Sequence, residues 1–94
     1  MKIKFINPFG TSDYDWLIQE TLQAYARPDT ELVIDHLKKS PQNIDYYWSK
    51  HLAETEVLEM VVNSEKEGFD AVIIGCCYDP GVRVARELVD IPVI

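Results

Sequence analysis

The chain has 94 residues, enough for one small domain, and 47% of them are hydrophobic with 11% aromatic. A domain this size buries roughly two-thirds of its unfolded surface, so a modest core is expected rather than a disordered chain. Sixteen acidic against nine basic residues give a net charge of −7, which argues against nucleic-acid binding because that needs a basic face. No apolar run reaches membrane-spanning length, and no signal-peptide pattern follows Met1-Lys2-Ile3-Lys4. The expected compartment is the cytoplasm, with a small molecule as partner and neither nucleic acid nor membrane.

In chain order, Ile3 to Ile6 reads as the first strand, closed by Asn7-Pro8-Phe9-Gly10. Ser12 is placed to cap a helix, with Asp13 and Asp15 in its first turn. Tyr14, Leu17, Ile18, Leu22 and Tyr25 recur at helical spacing and predict one apolar stripe. Arg27-Pro28-Asp29 ends that helix, and Glu31 to His36 is a second strand. Strand, helix, strand over this length predicts a right-handed βαβ unit.

Residues Leu37 to Lys50 are long for a connection between packed elements. Two readings stand side by side: a binding loop or lid, or a helix that opens early at Tyr46-Tyr47-Trp48 and packs these rings on the core. The next helix is expected from roughly Leu52 to Lys66, with Val57, Leu58, Val61 and Val62 inward and Gly68 as its cap.

Ala71-Val72-Ile73-Ile74 is an unbroken apolar run, three of its members β-branched, and suits a strand covered on both faces. Gly75-Cys76-Cys77-Tyr78-Asp79-Pro80-Gly81 follows. Asp79 reads as an N-cap and Pro80 as the first position of a third helix reaching about Val89, with Val82, Ala85 and Leu88 buried. Arg83–Glu87 and Arg86–Asp90 are spaced for pairing on its wet side. Ile91-Pro92-Val93-Ile94 reads as a fourth strand, and the sequence stops inside it. From that stop we expect a truncated architecture, with an apolar strand edge and one sheet face uncovered, and therefore self-association.

The order βαβαβαβ predicts a three-layer, flavodoxin-like parallel sheet in the order 2-1-3-4, residues 1–94 forming a single α/β domain. Its switch point lies between the first and third strands, at their carboxyl ends. Asn7 and Cys76 end those strands and should share one crevice. Cys76, expected at a helix amino end where a thiolate is favoured, is the candidate catalytic group. Thr11, Ser12, Cys77, Tyr78 and Asp79 border the same place and are candidate substrate-binding residues with Asn7. A helix cap explains Thr11, Ser12 and Asp79 equally well. Adjacent cysteines suit neither a structural disulfide nor a zinc or redox pair. His36 and His51 have no companion at metal spacing and read as surface residues. Asn7-Pro8-Phe9-Gly10-Thr11-Ser12 has one glycine and no lysine, so it is no phosphate loop. No cofactor and no metal are expected.

Lys2-Ile3-Lys4-Phe5-Ile6-Asn7-Pro8, Ser40-Pro41-Gln42-Asn43-Ile44-Asp45, and Asp70 to Cys76 with Asp79-Pro80-Gly81 together resemble the hydantoin racemase branch of the aspartate/glutamate racemase superfamily. Ala85-Arg86-Glu87 and Pro92-Val93 extend the likeness, which covers about the first half of a two-domain, pseudo-symmetric member. Phe9-Gly10 and Cys77-Tyr78 depart from the family pattern. The resemblance implies a cofactor-independent isomerase with one cysteine from each half, Cys76 being the amino-terminal one. One thiolate removes the proton α to a carbonyl, and the other thiol returns a proton on the opposite face. Asn7 matches a substrate-contacting asparagine, and N–H groups around Cys77 and Tyr78 would be donors. Because Cys76 and Cys77 share one turn, the second thiol must come from a further copy or from the other half. Other readings are a decarboxylase or cis–trans isomerase of the same superfamily, or a non-catalytic α/β binding or assembly module.

Overall fold

A computed structural model describes residues 1–94. The elements run β1 (Lys2–Asn7), α1 (Asp15–Gln23), β2 (Glu31–His36), α2 (Tyr47–Lys66), β3 (Ala71–Ile74) and α3 (Val82–Leu88). The three strands form one parallel sheet in the order β2-β1-β3, with Phe5 opposite Ile34 on one side and Ile73 on the other. The predicted fourth strand is present as a single parallel bridge, Val72 to Val93. Its hydrogen bonds run from the N–H groups of Val72 and Ile74 to the carbonyls of Pro92 and Ile94. The chain is thus an α/β fold whose strands follow the predicted 2-1-3 order, with Val93 on the free edge of β3.

Alternation along the strands sorts their side chains into two faces. Ile6, Val72 and Ile74 point toward α2 and α3, where Ala53, Val57, Val61, Val82, Ala85 and Val93 complete the buried cluster. Lys4 shares this face and is buried. Its ammonium lies 3.4 Å from Asp35 and 4.8 Å from the centre of the Phe69 ring. A charge is thereby tolerated inside because it keeps a counter-ion and an aromatic face.

The opposite face carries Ile3, Phe5, Leu32 and Ile73, only half-buried, and α1 covers it incompletely. Here the structure corrects the predicted stripe. No residue of α1 is buried, and Tyr14, Leu17 and Tyr25 are exposed. The periodicity is helical, but sheet lies under only part of the helix. Its start is also different: Tyr14, not Ser12, occupies the cap position, with no side-chain bond.

Two further boundaries shift. The helix α2 does open early, at Tyr47, yet Tyr46, Tyr47 and Trp48 project into solvent instead of packing on the core. Ser49 caps it, its hydroxyl accepting from the Tyr46 N–H at 3.3 Å and donating to the Tyr46 carbonyl at 2.9 Å. The helix α3 begins two residues later than Pro80, with Gly81 at its cap in the left-handed region (φ 79°). Leu88 is exposed rather than buried. Arg86 donates to the Val93 carbonyl at 2.8 Å in place of the expected pair with Asp90.

Candidate active site

The carboxyl ends of β1 and β3 lie side by side. Ile6 is in register with Ile74, and the Gly75 N–H donates to the Ile6 carbonyl at 2.9 Å. The next residues out are Asn7 and Gly75, and Cys76 follows Gly75 on the turn that leaves β3 at the same end of the sheet. Gly75 packs closely at this junction: a Cβ there would sit 2.9 Å from the Phe5 ring and push it aside. Strand pairing sets both residues at the carboxyl end of the sheet.

Cys76 is half-buried and Cys77 exposed, both free thiols. Cys76 adopts φ 80° and Asp79 φ 51°, a region that non-glycine residues rarely enter and that stores roughly 1–3 kcal/mol of strain at each position. These two residues bracket a tight turn in which the Asp79 N–H donates to the Cys76 carbonyl at 3.1 Å. The turn replaces the predicted cap. Asp79 is therefore not the N-cap of α3, and the later start of that helix at Val82 sets Cys76 further ahead of it than a start at Pro80 would. Cys77 is exposed on that turn. The Cys77 and Tyr78 N–H groups donate to no backbone carbonyl.

Asn7 is 3% exposed, and its Nδ2 has no hydrogen-bond partner in the protein. A buried donor without an acceptor costs about 1–3 kcal/mol, and a ligand oxygen would relieve that. Asn7 and His36 are register partners on β1 and β2, so both side chains stand on the α1 face. His36 is not the surface residue expected from the sequence. It is half-buried, and its Nδ1 lies 2.6 Å from Asp15 Oδ2 at the start of α1. The second Asp15 oxygen is buried without a partner. Twenty-one positions separate the two residues, and no local pattern signals the pairing. Thr11 accepts at its hydroxyl from the Asp13 N–H at 3.2 Å, and the Ser12 carbonyl accepts from Asp15 at 3.0 Å. Both residues shape the loop between Asn7 and α1; the Ser12 side chain is exposed.

Residues 37–46 form the loop beside this edge, and it is tied down rather than free. Leu37 and Ile44 are buried in the core. The Leu37 N–H donates to the Phe9 carbonyl at 3.0 Å, and the Gly10 N–H donates to the Pro41 carbonyl at 2.8 Å. From beneath, the Glu56 carboxylate accepts from the Lys38 N–H (2.7 Å), the Lys39 N–H (2.9 Å) and the Ser40 hydroxyl (2.8 Å). Burial alone would raise the Glu56 pKa, but these three hydrogen bonds and the Lys39 charge outweigh it, leaving the pKa below its ordinary 4.5. Asp35 behaves likewise: burial raises it, while Lys38, the His36 N–H and Lys4 bring it below 3.8. No cluster of three or more His, Cys, Asp or Glu side chains is arranged to hold a metal ion. No helix is long and apolar enough to cross a membrane.

The parallel 2-1-3 sheet with two strand ends and a thiol at its open edge defines an α/β protein of the doubly wound class. Residues 3–94 match the family described as Asp/Glu/hydantoin racemase, and the chain belongs to that family. It is 39% identical over 94 residues to the hydantoin racemase of Pseudomonas sp. (strain NS671) and 30% identical over 95 residues to that of Paenarthrobacter aurescens. The whole chain aligns in each case, against 38% and 40% of the relative. Among solved structures, allantoin racemase from Klebsiella pneumoniae superposes with a TM-score of 0.92 at 29% identity. The allantoin racemase from Pseudomonas fluorescens gives 0.90 at 28%. These likenesses cover all of this chain and 38% and 40% of the respective structures. The chain thus spans about two-fifths of the length of the relatives it matches.

Proposed function

We propose that this chain carries one acid–base half of a cofactor-independent racemase acting on hydantoins or related amino-acid derivatives. The observation that supports this reading most is a buried, unpartnered Asn7 amide at the end of β1, with Cys76 on the turn that leaves the adjacent β3, in a family whose relatives are hydantoin and allantoin racemases. In the proposed step the Cys76 thiolate takes the C5 proton of the ring, and the electron pair of that C–H bond moves onto the neighbouring carbonyl oxygen. Asn7 Nδ2 and the Cys77 and Tyr78 N–H groups donate to the oxygen as it gains charge. Thr11, Ser12 and Asp79 border the ring. Inversion needs a proton from a thiol on the opposite face. Cys77 shares the turn of Cys76, so a second chain or further sequence supplies it.

Acting alone, one thiol removes and returns the proton on the same face. Dissolved in D2O with one enantiomer of a 5-substituted hydantoin, the chain should exchange C5–H for deuterium while optical rotation persists. Cys76→Ala should reduce exchange to the buffer rate. Undiminished exchange in Cys76→Ala, or none above buffer with the parent chain, would overturn the assignment.

A further inference from the structure

Across the carboxyl end of the sheet, the strand order β3-β1-β2 sets three different chemistries in a row. Asn7 stands level with Gly75 on one side and with His36 on the other, and Cys76 follows Gly75. The proton transfer described above uses Cys76 and Asn7 and leaves His36 idle. Yet the imidazole is held firmly. Its Nδ1 lies 2.6 Å from Asp15 Oδ2, and Asp15 opens α1, where the positive end of a helix favours an anion. A carboxylate can only accept, so Nδ1 carries its proton toward Asp15 and the neutral ring keeps a lone pair at Nε2. Nε2 has no hydrogen-bond partner in the protein and is not buried. A clamp between α1 and β2 would use Nδ1 alone and gives Nε2 nothing to do. One strand away on the same face, roughly 5 Å between backbones, the Asn7 amide is buried without an acceptor. An acceptor and a donor thus stand side by side, each without a partner.

We propose that His36 is a specificity-determining residue whose Nε2 accepts the N3–H of a hydantoin ring, with Asp15 as its positioning residue. The assignment rests on the racemase reading above. In a hydantoin, the carbon that gives up its proton, the C4 carbonyl and the N3–H follow one another round the ring. Cys76, Asn7 and His36 follow one another across the sheet in the same order. Bonds leaving a five-membered ring diverge. Protein atoms in hydrogen-bond reach of neighbouring ring positions therefore stand roughly 5 Å apart, which is the spacing of paired strands. An N–H taken out of water needs an acceptor, and the Asn7 amide nitrogen can only donate to the oxygen next to it. A ring methylated at N3 has no hydrogen to offer Nε2, so the pair selects rings that are free at this position.

Exchange of C5–H for deuterium tests this with 5-benzylhydantoin and its 3-methyl derivative, at about pH 8, where an ordinary imidazole is neutral. Each rate is taken relative to the same compound's exchange in buffer. In the parent chain at low substrate concentration the methylated compound should exchange about tenfold more slowly, the loss expected for one hydrogen bond left unmade. Asp15→Asn keeps the shape of the side chain but offers an N–H to Nδ1, which moves the ring proton to Nε2 and turns the acceptor into a donor. His36→Phe keeps a ring and removes the acceptor. In both variants the two compounds should exchange within about twofold of each other while staying above buffer. A merely steric penalty on the methyl group would persist in Asp15→Asn, whose shape is unchanged. Equal rates in the parent, or a preference that survives either variant, would overturn the role of His36 and leave the racemase reading intact. A variant that falls to the buffer rate with both compounds would show the pair to be structural and overturn it as well. If the parent chain exchanges neither compound above buffer, both readings fall.

Discussion

At the scale of single residues, Cys76 combines a reactive group with a backbone conformation that its side chain resists. Its φ of 80° places a Cβ where glycine would be at ease. Cys76→Gly should therefore unfold at or above the parent's urea midpoint, losing the thiol's packing but shedding the strain. Cys76→Val, similar in bulk but β-branched, should lose about 2 kcal/mol by the same measurement, within the range that such backbone strain stores. A midpoint for the valine variant equal to the parent's would show that the turn carries no strain. The sequence could not disclose this conformation. Asp79-Pro80 is a good helix opening, and nothing local indicated that two left-handed residues would insert a turn ahead of it. The His36–Asp15 pair was equally hidden, because its partners meet only once α1 lies across β2. The neighbouring ends of β1 and β3 were legible for the opposite reason: both segments read as strands, and parallel topology sets them side by side.

At the scale of elements, the loop after β2 owes its fixed course to one carboxylate. Glu56 is only 8% exposed, and its oxygens take two backbone N–H groups and a hydroxyl of that loop. Glu56→Ala should cost about 3 kcal/mol, since it leaves those donors without acceptors beneath a packed segment. The pH dependence follows from the lowered carboxyl. A group bound more tightly as the anion stabilises the fold fully above its ordinary pKa of 4.5 and loses that contribution as pH falls through the lower folded value. Asp35, lowered from 3.8, adds in the same sense. Urea midpoints should be flat near neutrality and fall below about pH 4.5. In Glu56→Gln the acid-side fall should be shallower, and an identical profile would remove Glu56 as its source. The loop is anchored by Leu37, Ile44 and Glu56, while Tyr46 and Tyr47 project into solvent instead of packing on the core.

For the molecule as a whole, the sheet is finished on one side and open on the other. Met1, Ile3, Leu22, Tyr25, Leu32 and Ile73 line a groove of about 520 Å³ on the α1 face, which leaves apolar surface in water. Static light scattering should show mass rising with concentration in the micromolar range. The rise should be steeper at high salt, where the repulsion between chains of charge −7 is screened. Tyr25→Lys, at a position 87% exposed, should weaken it without disturbing the fold. A constant monomer mass across that range and at both ionic strengths would show the groove to be inert. The strand order was readable from the sequence because it depends on apolar runs and handedness. The coverage of each face was not, since the stripe on α1 has the same period whether or not sheet lies beneath all of it.

Gly10 passes so close to the loop after β2 that a Cβ on it would lie 1.8 Å from the Ser40 carbonyl oxygen. The segment leading from Asn7 and the segment leading to Tyr46 therefore cross without a side chain between them. They are packed as a matched set with Glu56 below. Transplanting residues 38–46 from a relative to redirect substrate choice would fail as a simple exchange. The graft has to bring residues 8–11 and the carboxylate with it, which makes these three pieces, rather than the loop alone, the exchangeable unit.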